Sequence, residues 1–217
     1  MNILFAGSSK SSSRILEFLS KEKSIKIKGV LTQPDKRRKR GPDLFESEVS
    51  KTANSFNQKI FKPNNLNDKD FEKEITKLQI DLIIVIAYGR IIPNWMLALP
   101  KIMSMNVHFS ILPKYRGASP IQSSLINGDK ETGISFMQMT EGLDEGDLIL
   151  TASMLINEED NKISLETKLT DLAIKNILNV LTQLENKSAS TTKQDNSVAT
   201  YCKKINSEDS ITDFNDY

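Results

Sequence analysis

Asn106 and His108 close the run Met103-Ser104-Met105-Asn106-Val107-His108. The run reads as a strand, so side chains two residues apart leave the same face of a pleated backbone. A carboxamide can donate two N–H groups to an oxygen that is gaining negative charge. An imidazole can pass protons near neutral pH, because its unperturbed pKa is about 6.5. Together they make up most of an acyl-transfer site. His108 is the only histidine in the chain. The missing component is an acid to orient the ring and stabilise its charged form. A glycine-broken acidic stretch, Glu141-Gly142-Leu143-Asp144-Glu145-Gly146-Asp147, offers Asp144, Glu145 and Asp147. Spacing alone does not choose among them. Each half also has a plainer meaning, since a histidine at a strand end can be structural and a Gly-Asp stretch can be a solvated turn.

Such a site needs a frame, and the chain alternates strand and helix patterns throughout. Asn2 to Gly7 is an apolar run ending in glycine, followed by a polar turn and an amphipathic stretch with Ile15, Leu16, Phe18 and Leu19. Residues 25–31 read as a second strand, 46–56 as a helix, 59–61 as a brief strand and 68–79 as a helix. Asp81 to Ala87 is an unbroken, β-branched apolar run, expected for a central parallel strand buried on both faces. Residues 95–99 read as a short helix stopped by Pro100, and 120–127 as another ending near Gly128. Residues 133–139 and 148–156 read as strands flanking the acidic stretch, which makes that stretch a hairpin-like connection. Residues 164–186 carry leucines at helical spacing, with Ser164 as the expected cap. The expected fold is α/β: a Rossmann-like, open, twisted, mostly parallel sheet flanked by helices. A Gly-x-Gly-x-x-Gly fingerprint is missing from the first turn, which argues against a dinucleotide. In such sheets ligands collect outside the carboxyl ends of strands, so the loop after Ala87 and the loop after His108 should line one crevice.

The chain has 217 residues and 38% hydrophobic content, enough for a good-sized core. Its 29 basic and 28 acidic residues leave a net charge of +1, so a nucleic-acid partner would have to be met by a local patch. Lys36-Arg37-Arg38-Lys39-Arg40, followed by Gly41 and Pro42, is such a patch. A single cysteine, Cys202, excludes an internal disulfide and fits a reducing compartment. Nothing at the N-terminus reads as a signal peptide or membrane span, so cytoplasmic residence is expected. One histidine and one distant cysteine do not make a metal site.

The run from Asn106 to Leu150, with its Asn-x-His, Ser-x-Leu-Pro and Leu-Asp-x-Gly-Asp words, resembles the formyltransferases that use 10-formyltetrahydrofolate. Thr32-Gln33-Pro34-Asp35, Tyr115 to Gln122 and Met137-Gln138-Met139 are most similar to the methionyl-tRNA formyltransferases within that group. One departure is Ser8-Ser9-Lys10, where relatives usually continue Phe-Ala-Gly with Thr-Pro. The resemblance implies the formyltransferase fold, with Asn106, His108 and Asp144 as the catalytic trio. It implies folate contacts at Tyr88, Gly89, Arg90, Ile91, Ile92, Ser110, Leu112, Pro113, Gly142 and Leu143, with the pterin against main-chain groups of residues 90–92. Taken without it, Ile91 and Ile92 read as packing residues. It also implies that Lys36, Arg37, Arg38, Lys39 and Arg40 meet transfer RNA, as clustered cations that release phosphate counterions can. The implied reaction is formylation of initiator methionyl-tRNA in translation initiation, without a metal or a membrane. A sugar amine or other small amine is the alternative acceptor, and a truncated, inactive folate- or RNA-binding fragment is the alternative to an enzyme. Residues 1–186 are expected to form the catalytic domain. Residues 187–217 are expected to be a linker or tail leading to a C-terminal β-barrel domain that is missing from this sequence.

Overall fold

The computed structural model describes residues 1–37, 44–205 and 209. In chain order the elements begin β1 (Asn2–Gly7), α1 (Lys10–Lys21), β2 (Lys26–Leu31), β3 (Lys36–Arg37) and β4 (Leu44–Phe45). Next come α2 (Glu48–Ser55), β5 (Ile60–Phe61), α3 (Lys69–Thr76), β6 (Leu82–Ile86), α4 (Asn94–Leu97) and β7 (Met103–His108). The last are β8 (Arg116–Gly117), α5 (Pro120–Ile126), β9 (Glu131–Gln138), β10 (Leu148–Leu155), α6 (Lys162–Glu185) and β11 (Tyr201–Cys202), with a 3-10 turn at Asn196–Val198 before β11.

One seven-stranded sheet carries the structure, in the order β10-β9-β7-β6-β1-β2-β5. The pairs from β7 to β5 are parallel, while β9 and β10 add antiparallel neighbours on the β7 side. β6 is central and buried along its whole length, as its apolar, β-branched residues require. Alternate residues of the strands feed two cores. Ile3, Phe5, Ile84, Met105, Val107 and Phe136 pack with α1, α2 and α6 on one face, and Leu4, Ile83 and Val85 pack with Phe71, Ile75 and Met96 of α3 and α4 on the other. Because Met105 and Val107 belong to the first core, Asn106 and His108 must leave the opposite face.

The helices begin where their caps place them. Ser9 accepts from the Ser12 N–H at α1, and Asp68 accepts from the Asp70 and Phe71 N–H groups at α3. The start of α6 differs from the expectation, since the cap is Asn161 and not Ser164. The Asn161 side chain accepts from the Ile163 and Ser164 N–H groups, while the Ser164 hydroxyl accepts from the Asn161 N–H, a reciprocal box that starts the helix at Lys162. Asp160 completes the junction. Its carboxylate accepts from the Lys168 ammonium, the Ser164 hydroxyl and the Asn157 N–H, and these partners, Lys168 first, hold its pKa down at about 2. An unfolded aspartate titrates near 3.9. The depressed folded value therefore means stability that is present above about pH 4 and lost as pH falls towards 2. Asp160→Asn is expected to cost about 1–2 kcal/mol at pH 7 and to flatten the acid limb of stability between pH 4 and 2, read by urea unfolding across that range.

The basic patch that starts at Lys36 begins in a two-residue antiparallel ladder of β3 with β4. Its feet are tied by Lys62, whose ammonium donates to Asp35 on one side and Glu46 on the other. Burial works against the Lys62 charge, but those hydrogen bonds prevail and raise its pKa. No helix among the described residues is long and apolar enough to cross a membrane.

Candidate active site

β7 delivers Asn106 and His108 to the same face, and Asp144 meets both. Asn106 Nδ2 donates to Asp144 Oδ1 at 3.3 Å, and His108 Nδ1 lies 3.6 Å from Asp144 Oδ2. The route of the chain to this point is indirect. β9 runs antiparallel to β7 and ends with Gln138 beside Met105, so residues 139–147 must fold back along β7 for Asp144 to reach His108. That connection is tied down by Asn94 of α4, whose carboxamide donates to Glu141. Asp144 itself adopts a left-handed backbone, with φ +49°. Strained backbone of this kind persists where surrounding contacts over-determine it. Of the three acids spacing left open, Asp144 is the one against the imidazole. Glu145 is exposed, and the Asp147 carboxylate accepts from Thr191 at 3.5 Å.

The loop after β7 fixes the other side of the ring. His108 Nε2 lies 2.8 Å from the Tyr115 carbonyl, which can only accept, so Nε2 carries a hydrogen. Nδ1 is therefore the nitrogen left to face Asp144 and a reactant. The same carbonyl accepts from the Cys202 thiol at 3.3 Å. Burial is the main influence raising the pKa of that thiol, which keeps it protonated as a donor. Tyr115 stands at φ +62°, and its hydroxyl donates to Asp129 and accepts from Asn127. Two residues on, the Gly117 N–H donates to Asp144 Oδ2 at 2.8 Å. His108 is 6% exposed, and Asn106 and Asp144 are half-buried beside it.

The residues expected to hold folate divide by location. The loop after β6 is tied to the ends of β1 and β2 through the Tyr88 carbonyl, which accepts from Gln33 Nε2 at 2.7 Å and from the Ser8 hydroxyl at 3.4 Å. Gly89 stands at φ +75° beside Gln33. The Arg90 guanidinium donates to the carbonyls of Pro63 and Asn64 at 2.6 Å each, so it braces the neighbouring loop. Ile92 is a packing residue, as its type alone suggests, but Ile91 is 92% exposed and packs in neither core. Leu143 is 60% exposed, whereas Leu112 and Ser110 are buried, the Ser110 hydroxyl donating to the Lys114 carbonyl. The Pro113 carbonyl accepts from the Thr200 N–H, and Gly142 packs tightly against the Glu145 side chain.

Tyr88 is 1% exposed and its hydroxyl, near the Arg90 guanidinium, makes no hydrogen bond of good geometry among the described residues. Burial raises its pKa, against the opposing charge of Arg90. Tyr88→Phe is accordingly expected to leave stability unchanged or raise it by up to about 1 kcal/mol, measured by thermal unfolding. A loss above that size would mean the hydroxyl has a partner in solution.

Of the basic run, Lys36 and Arg37 form β3, while Arg38, Lys39 and Arg40 lie outside the described residues. Among the described residues no group of three or more His, Cys, Asp or Glu is placed to hold a metal ion.

Residues 192–202 run against the loops that hold Tyr115 and Asp144. Thr192 pairs with Leu148, Thr200 accepts through its hydroxyl from the Tyr115 N–H, and β11 lies parallel to β8. Gln194 contacts the acidic connection itself, donating to the carbonyls of Asp144 and Gly146. The sequence pattern holds no signal for these contacts.

The model of the formyl transferase family matches residues 1–181. Methionyl-tRNA formyltransferase of Buchnera aphidicola subsp. Baizongia pistaciae is 40% identical over 209 residues, covering 96% of this chain and 64% of that protein. The enzyme of the same name from Nitrosomonas eutropha is 40% identical over 214 residues, covering 99% of this chain and 67% of that protein. The chain thus spans about two thirds of the length of these relatives. Among solved structures, phosphoribosylglycinamide formyltransferase from Anaplasma phagocytophilum shares the fold, with a TM-score of 0.74 at 19% identity over 90% of this chain and 96% of that one. A sugar 3N-formyl transferase solved with dTDP and 5-N-formyl-THF has a TM-score of 0.70 at 22% identity, over 95% of this chain and 71% of that one. With a family match over most of its length, on an open α/β sheet of the kind these enzymes share, this chain belongs to the formyl transferase family.

Proposed function

We propose that this chain transfers a formyl group from 10-formyltetrahydrofolate to the free amino group of initiator methionyl-tRNA. The observation that carries the reading is the convergence of Asn106, His108 and Asp144 at the end of β7. The 40% identity to methionyl-tRNA formyltransferases over nearly the whole chain supports this acceptor over a sugar amine.

Asn106 has one Nδ2 hydrogen on Asp144 and a second free to meet an oxyanion. His108, protonated at both nitrogens, keeps Nε2–H on Tyr115 and presents Nδ1–H from the other side. The acceptor amine attacks the formyl carbon between them, and the tetrahedral oxyanion is stabilised by both donors. The C–N bond to the folate then breaks, and the proton lost by the amine ends on the departing folate nitrogen. Asp144 holds the charged ring and can relay that proton through a water. Residues 88–92, Ser110, Leu112, Pro113, Gly142 and Leu143 border the donor site, with main-chain groups of residues 90–92 facing the pterin. Lys36 to Arg40 meet the transfer-RNA backbone. A reducing, cytoplasmic setting fits the unpaired Cys202 thiol.

The test is to incubate the 217-residue chain with initiator methionyl-tRNA and 10-formyltetrahydrofolate at low salt, where phosphate contacts are strongest, and to assay formylmethionine. Product is expected. Folate binding without product would overturn the acceptor assignment, and formylation of a nucleotide-linked sugar amine in its place would identify the alternative.

A further inference from the structure

We infer that Gln194 is a positioning residue for the reaction, holding Asp144 in reach of His108 although it touches neither the ring nor any reacting atom. The inference rests on the formyl-transfer reading only for its kinetic readout. The Gln194 Nε2 group donates to the Asp144 carbonyl at 2.9 Å and to the Gly146 carbonyl at 2.7 Å, so both of its hydrogens are spent on the connection that carries the acid. Its Oε1 accepts a fork from Arg116 Nε at 3.0 Å and Nη2 at 2.8 Å.

Arg116 is 1% exposed, and its side-chain hydrogen-bond partners among the described residues are neutral: Gln194, Asn196 and the Tyr201 hydroxyl. A buried guanidinium on a carboxamide oxygen polarises the amide and strengthens its two N–H donations. Arg116 also lies between Tyr115, whose carbonyl accepts from His108, and Gly117, whose N–H donates to Asp144. Three consecutive residues thus reach the His108–Asp144 pair, one directly to the ring, one directly to the carboxylate and one through Gln194 to the acid's backbone. Asp144 at φ +49° needs such support, because a left-handed aspartate is not its lowest-energy backbone state.

Asn196 provides the comparison. It also accepts from Arg116, at 2.8 Å from Nη2, but has no hydrogen bond to residues 139–147. Gln194→Met removes both kinds of contact, and Gln194→Glu keeps the acceptor for Arg116 while removing the two N–H donors. Asn196→Ala weakens only the hold on Arg116. Two readouts separate positioning from general stability. One is kcat and KM for formyl transfer. The other is the imidazole Hε1–Cε1 NMR cross-peak, which is single because His108 is the only histidine.

Gln194→Met and Gln194→Glu are expected to lower kcat by about 10–100-fold with KM for the formyl donor unchanged. They should displace the cross-peak in the same direction as Asp144→Asn does. Asn196→Ala should keep both at wild-type values. If Gln194→Met does not fold, Gln194→Glu decides. Wild-type kcat and an unmoved cross-peak in Gln194→Glu would overturn the proposal, as would equal losses in Gln194→Met and Asn196→Ala. If the wild type transferred no formyl group at all, a cross-peak displaced alike by Gln194→Glu and Asp144→Asn would still support the positioning role, and the failure would belong to the proposed reaction alone.

Discussion

His108→Ala is expected to lower kcat for formyl transfer by at least about 10²–10³-fold, the usual cost of losing one preorganised oxyanion donor. Asn106→Ala should fall in the same range. The two variants differ in what they leave behind. Without His108, the Tyr115 carbonyl keeps its Cys202 donor and Asp144 keeps Asn106 and Gly117, so the surrounding contacts persist. Without Asn106, Asp144 Oδ1 loses its only side-chain donor among the described residues, so part of the loss reflects a misplaced acid. Single-turnover rates with the donor prebound, alongside folate binding by fluorescence, separate chemistry from binding. Turnover near the wild-type value in either variant would sink the assignment of these side chains to the reaction.

Gly117→Ala should damage both stability and the site. Gly117 stands at φ +119°, and a Cβ there would lie 2.3 Å from the Cys202 carbonyl oxygen. That oxygen is backbone, held by the Ala118 N–H at 3.1 Å in the β8–β11 pairing, so it has little freedom to retreat. Strain of this kind together with a backbone clash is expected to cost about 2–4 kcal/mol, or roughly 5–15 °C in Tm. Separation of β8 from β11 also pulls the Gly117 N–H from Asp144, so kcat should fall beyond what reduced folding explains at a temperature where the variant is native. Gly128→Ala is the matched control. Gly128 also has positive φ, +63°, but nothing lies within 4 Å of its Cβ position, and its cost should be near 1 kcal/mol. Equal melting temperatures for the two variants would show that the clash, and with it the rigid pairing of β8 with β11, is not present in solution.

The parts of this molecule legible in its sequence are those governed by short range. Period-two alternation along residues 103–108 places Asn106 and His108 on one face, opposite Met105 and Val107, and the structure has them there. The β-branched run at 82–86 reads as a central strand because nothing polar interrupts it. Ser164 was a reasonable cap by type, yet Asn161, three residues earlier, has the same chemistry and wins because Ser164 serves it better as the reciprocal partner. Ile91 and Ile92 are identical in type and adjacent, and only the turn geometry sends one into the core and the other into solvent. The contacts of Gln194 with Asp144 and of Thr200 with Tyr115 span 50 and 85 residues. No local pattern encodes such pairings, because a polar, aperiodic stretch looks the same whether it is solvated or hydrogen-bonded across a site.

The segment 192–202 also divides the chain into a part that builds the fold and a part that completes the surroundings of the site. The sheet has all its strands once β10 ends at Leu155, and the long packing helix is finished at Glu185. Every strand of that sheet and every helix of its two cores precedes Gln194, Thr200 and Cys202 in the chain. A chain folded only that far would hold its histidine on the sheet without the ties from Gln194 to Asp144 and from Thr200 and Cys202 to Tyr115. The fold and the final placement of Tyr115 and Asp144 are thus set by different parts of the chain, the core by residues before 186 and the last ties by residues 192–202.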